Sequence, residues 1–379
     1  MGVLALKRLI PAALRYRLSR VAVDASALPQ IVRAALAKVG SADVVSVSYG
    51  RDTLPSSIEF AHGGIVKVQR MQERWPNTAN VFNTLYMVSS AMPPGARFWA
   101  SIARRRRALV VWNQNGVSYP ATEPGWRASN AAMAPLLREA DHVFYQSAFC
   151  KMAADRFVGS PKGTWEILHN SVDTRVFIPS PDPLPLTPLM LMLGGNQSER
   201  YRLDAAIKTL GTLRRRSVDA RLLVTGNLRW RSSPDDAMRE ALESVSREGV
   251  VGQVEFAGAY SQVEAPTLLQ RAHILLHTKY NDPCPGVVIE ALSAGLPVVY
   301  SASGGVPELV GDEAGVGVAV EQTFDRMIPP DPEALADGVQ RVAAELPKYS
   351  AAARRRALER FDIEPWLARH AEVFERKKA

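Results

Sequence analysis

Two acidic residues bracket a short apolar segment in the second half of the 379-residue chain. Asp282 lies in a loop rich in proline and glycine, and Glu290 follows it with seven residues between them. Proline is tolerated at the first position of a helix, so Pro285 predicts a helix that begins near Gly286. Glu290 then lies four residues into this helix, on the face of its N-terminal opening.

The chemistry that this spacing favours is recognition of a sugar joined to a nucleotide diphosphate. The unpaired N–H groups and partial positive charge at a helix start suit a phosphate. Carboxylates accept hydrogen bonds, and so they suit the hydroxyl groups of ribose and hexose. We therefore expect a diphosphate at Pro285, Gly286 and Val287, between the two acids. The alternative interpretation is a buried strand, loop and helix with a solvated Asp282 and an ion-paired Glu290.

The residues after this predicted helix also form a regular pattern. Gly295 suits the position just past a helix end, and Pro297 leads into a buried strand that begins at Val298. A Gly-Gly-Val-Pro-Glu run follows at Gly304–Glu308. The order is therefore loop, helix, buried strand and a second glycine-rich turn.

Residues 282–308 resemble the donor-site signature of the retaining glycosyltransferases of family 4, which have the GT-B fold. That signature is Glu, seven residues, Glu, followed by Ala-x-x-x-Gly-x-Pro-Val and a later Gly-Gly-x-x-Glu. Here Asp282 takes the place of the first Glu, Glu290 matches the second, and Glu308 ends the tail. The resemblance implies that Asp282, one methylene shorter, contacts the donor sugar, that Glu290 contacts the ribose, and that Glu308 belongs to the substrate site.

A pair of glycines precedes a predicted helix in the first half of the chain. A buried strand is predicted over Asp43–Tyr49, and Gly63 and Gly64 stand where the next helix starts. Paired glycines at such a turn let the backbone approach a ligand closely. In family 4 this loop lies under the donor diphosphate and beside the acceptor. The resemblance therefore places Gly63 and Gly64 in the site, and a simple turn is the alternative interpretation.

A polar run follows a second buried strand, which is predicted over Ala108–Trp112. It comprises Asn113, Gln114 and Asn115, and ligands of open α/β sheets bind at the carboxyl ends of strands. Relatives in family 4 often place a polar residue here against the sugar. We therefore include Asn115 among the substrate-binding candidates, with an Asn-Gly turn as the alternative interpretation.

The second half of the chain restarts the alternation with a predicted strand at Leu189–Leu193. Gly195, Arg200 and Arg202 follow this strand. Family 4 members carry an arginine and a lysine after the equivalent strand, where they neutralise the donor diphosphate. The resemblance implies that Arg200 or Arg202 supplies this charge, with Gly195 beside it. Lys279, close to Asp282 in sequence, is interpreted as a solvated side chain, with a phosphate contact as the alternative interpretation.

A run of five prolines between Pro179 and Pro188 separates the chain into two halves. Such a segment acts as a semi-rigid spacer. Strand–helix alternation on both sides predicts two doubly wound α/β domains, and the resemblance implies the GT-B arrangement, in which two Rossmann-like domains face a cleft. We place the domains at residues 1–180 and 181–360. The final segment, 361–379, is predicted as a helix, which in the GT-B fold crosses back to the first domain.

The composition is typical of a globular protein with an anionic partner. Apolar residues make up 47% of the chain, and an excess of Lys and Arg gives a net charge of +8. This charge suits a phosphorylated ligand, an acidic glycan or an anionic membrane surface; we expect no nucleic-acid partner. Cys150 and Cys284 provide no disulfide framework and fit a reducing cytosol. Metal-ligand spacing is absent from the sequence, so we expect no metal and no cofactor, the nucleotide-diphosphate sugar being a co-substrate.

Residues Met1–Arg20 interleave apolar and basic side chains, a pattern typical of a basic amphipathic helix. Such a helix can lie in an anionic lipid interface. An ordinary surface helix packed on the first domain fits the pattern equally well. Apolar runs fall short of the ~20 residues that span a bilayer. We therefore expect a cytoplasmic protein, which the N-terminal helix would make peripheral on the inner face of the cell membrane if it binds lipid.

Together with the resemblance, these residues predict a retaining, metal-independent glycosyltransferase. It would transfer a hexose from a nucleotide-diphosphate sugar to a hydroxyl of a glycan or lipid-linked acceptor, as in polysaccharide or lipopolysaccharide biosynthesis. One alternative is another GT-B enzyme such as a nucleotide-sugar epimerase, which would need a catalytic histidine and further acids near the sugar. The other is a non-catalytic relative that binds a nucleotide or glycan without turnover, for which the replacement at Asp282 leaves room.

Overall fold

The computed structural model describes residues 24–37, 44–56, 59, 61 and 63–376. The amphipathic helix predicted at 1–20 lies outside these residues, as does Asp43. Two sheets of parallel strands form the framework of the described chain. Residues 168–188, which join the two sheets, contain no helix or strand, and the proline-rich part is largely exposed. The predicted pair of α/β domains is therefore confirmed, while the exact domain limits stay a prediction.

The first sheet contains parallel strands that neighbour one another in chain order. They are β1 Val47–Ser48, β2 Thr84–Val88, β3 Leu109–Gln114, β4 His142–Tyr145 and β5 Thr164–Ile167. The helices around them are α1 Leu28–Leu36, α2 Gly63–Gln72, α3 Ala96–Arg105, α4 Trp126–Glu139 and α5 Ala148–Phe157. Strand β2 is buried on both faces: Leu85 and Met87 pack into one core, and Tyr86 and Val88 pack into another on the opposite face.

The second sheet has the strand order β11-β10-β9-β6-β7-β8, and its strands are also parallel. They are β6 Leu189–Leu193, β7 Ala220–Thr225, β8 Val254–Gly258, β9 Ile274–His277, β10 Val298–Ala302 and β11 Gly315–Ala319. The helices are α6 Arg200–Arg215, α7 Pro234–Arg247, α8 Ala265–Leu269, α9 Gly286–Ser293, α10 Val306–Val310, α11 Pro332–Ala344 and α12 Leu346–Arg360. Apolar cores lie on both faces of this sheet.

The strand order of the second sheet reverses between β6 and β9, which are neighbours although 80 residues, 194–273, lie between them in sequence. The chain connections on the two sides of this point leave in opposite directions. A crevice therefore opens at the carboxyl ends of β6 and β9, which is where open α/β sheets bind ligands. Gly194 and Gly195 follow β6, and the loop that contains Asp282 follows β9.

The last described helix, α13 at Ile363–Phe374, packs on the first sheet. Tyr86 Oη lies 3.2 Å from His370 Nε2, and the rings of Trp75 and Phe374 are 4.9 Å apart. Because α13 follows the second domain in sequence and buries its apolar face against the first, the predicted return of the C-terminal helix is confirmed.

Candidate functional site

A cleft with a volume of about 690 Å³ separates the two sheets, which is the size expected for a small-ligand site. Lys67 and Asn115 line it from the first domain, and Gly195, Asp282 and Glu290 line it from the second. The structure therefore brings both predicted acids into one interdomain cleft.

The loop that carries Asp282 is held in shape by the Gly-Gly pair of the predicted signature. Gly304 has a φ of +67°, and a Cβ there would stand 2.5 Å from the Asp282 carbonyl oxygen. Gly305 donates its N–H to the same oxygen at 2.9 Å. A side chain at Gly304 would therefore push the Asp282 backbone away from the glycine turn.

Asp282 is buried beside two basic groups of its own loop. Its Oδ2 lies 3.3 Å from His277 Nε2 and 3.4 Å from Lys279 Nζ. Burial opposes ionisation of this carboxyl, but Lys279 and His277 outweigh it and hold the pKa of Asp282 below its ordinary value. Asp282 is therefore a carboxylate that can accept hydrogen bonds. Lys279, interpreted from the sequence as solvated, lines the cleft instead.

Helix α9 begins at Gly286, as the sequence predicted, and its N-terminus faces the cleft. Pro285 is the residue before the helix and lines the cleft, but it has no N–H to donate to a phosphate. Val288 already donates to the Pro285 carbonyl oxygen at 3.2 Å. Gly286 and Val287 are therefore the amides of this turn that remain for a ligand.

Glu290 reaches across the cleft to a residue of the first domain. Its Oε1 lies 3.1 Å from Arg70 Nη2, and the side chain is 9% exposed. Burial raises the pKa of Glu290, while Arg70 opposes this effect. Arg70 also donates to Gln262 Oε1 at 3.4 Å and to the Ser171 carbonyl oxygen. This arginine therefore ties α2 of one domain to the acid on α9 of the other.

The first-domain wall contains the predicted glycines and Asn115. Gly63 and Gly64 start α2 and line the cleft, and a Cβ on Gly64 would stand 2.5 Å from Ser90 Oγ. Asn115 Nδ2 donates to Ser90 Oγ at 2.7 Å, and its Oδ1 is buried without a hydrogen-bond partner among the described residues. Asn115 therefore has an acceptor available for a ligand hydroxyl.

The other two members of the predicted polar run lie in the sheet, because β3 extends to Gln114. Gln114 Oε1 accepts from Trp112 Nε1 at 2.7 Å, so this amide serves the interior of the domain. Asn113 Oδ1 accepts from Lys67 Nζ at 2.7 Å. Lys67 is 6% exposed and lines the cleft, and burial lowers its pKa to about 7.

The two arginines predicted to neutralise the diphosphate do not line the cleft. Arg200 pairs with Glu240 at 3.0 Å and with Asp204 at 3.2 Å. Arg202 is buried and donates to the Asn196 carbonyl oxygen at 2.7 Å. The structure thus corrects this prediction, because both guanidinium groups already have partners within the second domain.

Glu308 contacts the first domain and does not line the cleft. Its carboxylate accepts from the N–H groups of Ala148 and Phe149, at 2.8 and 3.0 Å, at the start of α5. His169 Nε2 lies 3.4 Å away. Burial acts to raise the pKa of Glu308, but these donors outweigh it and hold that pKa below its ordinary value. The predicted substrate contact is therefore replaced by an interdomain one in this structure.

Sequence reasoning missed the basic residues of the first-domain wall. Lys67 and Arg70 are three residues apart on α2, so they share one helix face. The available signal was their position just after Gly63 and Gly64, although surface lysines and arginines at such spacing are common. Within the described part of the chain, no group of three or more His, Cys, Asp or Glu side chains is placed to hold a metal ion. Helices long and apolar enough to cross a membrane are absent from the same residues.

Two parallel α/β domains, a shared cleft and a returning C-terminal helix define the GT-B class, and solved structures agree. HepE of Anabaena, in complex with UDP and glucose, superposes with a TM-score of 0.62 at 17% identity, covering 82% of this chain and 81% of that one. Sucrose-phosphate synthase of Thermosynechococcus elongatus gives 0.60 at 19% identity, covering 77% and 73%. The predicted fold is confirmed.

Sequence comparison confirms the family resemblance. The family "Glycosyl transferases group 1" matches residues 187–345, which form most of the second domain. The chain is 27% identical over 165 residues to the putative colanic acid biosynthesis glycosyltransferase WcaL of Escherichia coli, which is 42% of this chain and 39% of WcaL. It is 27% identical over 245 residues to a GDP-mannose-dependent alpha-(1-6)-phosphatidylinositol monomannoside mannosyltransferase of Mycobacterium tuberculosis, covering 58% and 60%. The chain is related to the group 1 glycosyltransferases and matches less than two thirds of either relative's length.

Proposed function

We propose that this protein is a retaining, metal-independent glycosyltransferase. It would move a hexose from a nucleotide-diphosphate sugar to a hydroxyl of a glycan or lipid-linked acceptor. The observation that carries the proposal is the placement of Asp282 and Glu290 in one cleft, on either side of the N-terminus of α9. This arrangement offers carboxylates for two sugars and backbone amides for the phosphates between them.

In this proposal each group has a separate task. Glu290 accepts hydrogen bonds from the ribose hydroxyls, and Asp282 accepts them from the hexose. The N–H groups of Gly286 and Val287 donate hydrogen bonds to the diphosphate, and the partial positive charge of the helix start attracts it. On the first-domain side, Asn115 and the turn at Gly63 and Gly64 contact the transferred sugar or the acceptor.

The proposed reaction keeps the configuration at the anomeric carbon. The bond between this carbon and the β-phosphate oxygen breaks, and its electron pair goes to that oxygen. The acceptor oxygen forms the new bond on the same face, and its proton passes to the leaving phosphate. Negative charge grows on the diphosphate during this step, so preorganised donors around it stabilise the transition state directly.

The relatives support the class of donor. The Anabaena HepE structure is a complex with UDP and glucose, and the mycobacterial mannosyltransferase is named for its dependence on GDP-mannose. The two proteins thus share nucleoside diphosphate and hexose chemistry, although their bases differ. We therefore propose the donor class and leave the base and the sugar to experiment. The product would enter a polysaccharide or lipopolysaccharide, by analogy with the colanic acid enzyme.

We also propose that the protein is peripheral at the inner face of the cell membrane, which it would bind through the basic residues among 1–20. Flotation with anionic liposomes tests it. The full chain is expected to float with the vesicles, and a chain without these residues is expected to remain at the bottom of the gradient. Equal flotation of the two proteins would contradict the proposal.

The test of the activity uses the purified full chain and a panel of UDP-, GDP-, ADP- and TDP-sugars. A donor that binds the native state is expected to raise the melting temperature. That donor should then release its nucleoside diphosphate with an acceptor-dependent glycosidic product. Asp282→Asn should reduce product formation, and Asp182→Asn, in the exposed segment between the domains, should leave it unchanged.

Three outcomes of this assay would contradict the proposal. Stabilisation by none of the donors would remove the nucleotide-sugar site. Nucleotide release without an acceptor-dependent product would indicate hydrolysis. Binding without any release would indicate a non-catalytic relative.

A further inference from the structure

A diphosphate needs positive charge, and the second domain does not offer it from the residues that its sequence suggested. Arg200 is neutralised by Glu240 and Asp204, and Arg202 is committed to backbone carbonyl groups. Lys279 lies 3.4 Å from the Asp282 carboxylate, so its charge is also shared. Further cations that line the cleft belong to its opposite wall.

The opposite wall carries a buried ammonium group without a counter-ion. Lys67 is 6% exposed and lines the cleft, and it donates to the neutral Asn113 Oδ1 at 2.7 Å. Across the described residues, no carboxylate stands within ion-pair distance of Lys67. An ammonium group has three donors, and burying it unpaired is costly unless a ligand supplies the anion. The thiol of Cys284, two residues before α9, lies close enough to affect the pKa of Lys67.

Arg70 lies one helical turn further along α2 and faces the same cleft. Its Nη2 is 3.1 Å from Glu290 Oε1, so the guanidinium already reaches the second-domain wall. The side chain is 19% exposed, which leaves it partly accessible from the cleft. Lys67 and Arg70 therefore form a cationic pair across the cleft from the start of α9.

We propose that Lys67 and Arg70 are the cations that hold the donor diphosphate, so that the first domain completes a phosphate site whose amides belong to the second. This inference rests on the proposed function. The diphosphate would lie between Lys67 and Arg70 on one side and the N–H groups of Gly286 and Val287 on the other. Arg70 would exchange Glu290 for a phosphate, which frees the Glu290 carboxylate for the ribose hydroxyls.

This arrangement links donor binding to the position of the two domains. Neither the amides of α9 nor the cations of α2 surround a diphosphate alone, because they belong to different walls. The bound diphosphate would therefore contact both walls. During transfer the same cations stabilise the extra charge that develops on the leaving phosphate.

The test measures binding of a nucleoside diphosphate and of the matching nucleoside by isothermal titration calorimetry. The probes are UDP, GDP and ADP with uridine, guanosine and adenosine, and the base that the wild type binds is used. The variants are Lys67→Met and Arg70→Met, with Arg200→Met as the matched control. Arg200→Met removes the same unit of charge from the second domain but leaves the cleft unchanged.

We expect each cleft variant to weaken nucleoside diphosphate binding by about tenfold or more, which is the typical loss when a charge-assisted hydrogen bond is removed. The ratio of nucleoside to nucleoside diphosphate dissociation constants should fall by the same factor, because the nucleoside lacks the phosphates. Arg200→Met should match the wild type in both constants. Arg70→Lys keeps the charge without the guanidinium fork, so it should recover part of the loss.

Two results would overturn the inference. The first is that the wild type binds a nucleoside diphosphate and both cleft variants keep the wild-type ratio of nucleoside to nucleoside diphosphate dissociation constants. The cations are then elsewhere, and the proposed function stands. If the wild type binds no nucleoside diphosphate and releases none from any donor sugar, the proposed function and this inference fall together. Thermal melting of each variant separates a loss of binding from a loss of folding, and Arg70→Lys serves where Arg70→Met does not fold.

Discussion

The two walls of the cleft differ in the charge that they present. The second-domain wall contributes two acids, Asp282 and Glu290, on either side of a helix N-terminus. The first-domain wall contributes Lys67 and Arg70, together with the neutral amide of Asn115. In a sugar nucleotide, an anionic diphosphate lies between two hydroxyl-rich sugars. The comparison shows that the two acids of the cleft and the cations proposed for the diphosphate come from opposite domains.

The difference also has a cause in the chain itself. The acids belong to one loop and one helix, so their spacing is set within nine residues. Lys67 and Arg70 face them only because the first sheet and the second pack on opposite sides of the cleft. The following predictions test the separate roles of the acids and the cations, from the largest expected effect to the smallest.

Replacing Glu290 with Ala should cause the largest loss on the acidic wall. The change removes the acceptor for two ribose hydroxyls, and each hydrogen bond to a charged group contributes about 1.5–3 kcal/mol, so nucleoside binding should weaken by about 100-fold or more. Isothermal titration calorimetry measures the effect. Glu313→Ala is the control, because Glu313 is exposed and pairs with Arg355 on the surface. Unchanged binding in Glu290→Ala would remove the assignment of the acidic wall.

Gly304→Ala should damage the same wall through the backbone. A left-handed conformation costs a residue with a Cβ about 1–2 kcal/mol, and here the Cβ would also meet the Asp282 carbonyl oxygen. Gly252→Ala is the matched control, because Gly252 has a φ of +79° and no atoms near its Cβ position. Urea unfolding should show a larger loss for Gly304→Ala, accompanied by weaker donor binding. Equal losses in the two variants would mean that the turn does not support Asp282.

Glu308→Gln should separate an interdomain contact from a substrate contact. The carboxylate accepts two N–H groups at the start of α5, where a negative charge stabilises a helix. We expect the free energy of unfolding to fall by about 1–2 kcal/mol, with donor affinity within about twofold of the wild type. Chemical unfolding and calorimetry measure the two quantities. A tenfold weaker donor with unchanged stability would restore Glu308 to the substrate site.

The smallest expected effect is the change of donor affinity with pH, which tests Lys67 on the first-domain wall. Burial lowers the pKa of Lys67 to about 7 from the ordinary 10.5, so its charge is present below this value and is lost above it. Binding of a nucleotide sugar should weaken a few-fold between about pH 6 and about pH 8 in the wild type and stay flat in Lys67→Met.

The choice of ligand and the neighbours of Lys67 make this comparison specific. The diphosphate of a nucleotide sugar does not titrate in this range, so the ligand's charge is constant. The groups whose charges act on Lys67 or respond to it are Arg70, Cys150, Cys284 and His370. Burial lowers the pKa of His370 far below neutrality and raises those of the two thiols, so Lys67 is the member that titrates near pH 7. An identical slope in Lys67→Met would assign the pH dependence elsewhere.

Local patterns predicted the elements that carry the acids with good accuracy. Strand β6 begins and ends at the predicted residues, and α9 begins at Gly286. Apolar runs define such strands because both faces of a parallel sheet are buried. The prediction ended β3 at Trp112, while the strand extends to Gln114. The reason is that Asn113 and Gln114 find hydrogen-bond partners inside the domain, so polarity alone did not end the strand.

Three long side chains that the sequence placed in the site have partners outside the cleft in the structure. Arg200 and Arg202 were chosen because they follow β6, yet ion pairs and carbonyl groups of the second domain hold them. Glu308 was chosen from its motif, and its carboxylate caps a helix of the other domain. A long flexible side chain can reach several partners from one position, so its backbone position does not determine which partner it takes.

The sequence by itself determined the alternation of strands and helices, the break between the two halves, and the loop and helix that carry Asp282 and Glu290. These features depend on residues close together in the chain, through burial, glycine turns and helix starts. The tertiary structure alone decided which cations face those acids. Lys67 and Arg70 meet the start of α9 only where the two sheets pack across a common cleft, and more than 200 residues separate Arg70 from Glu290.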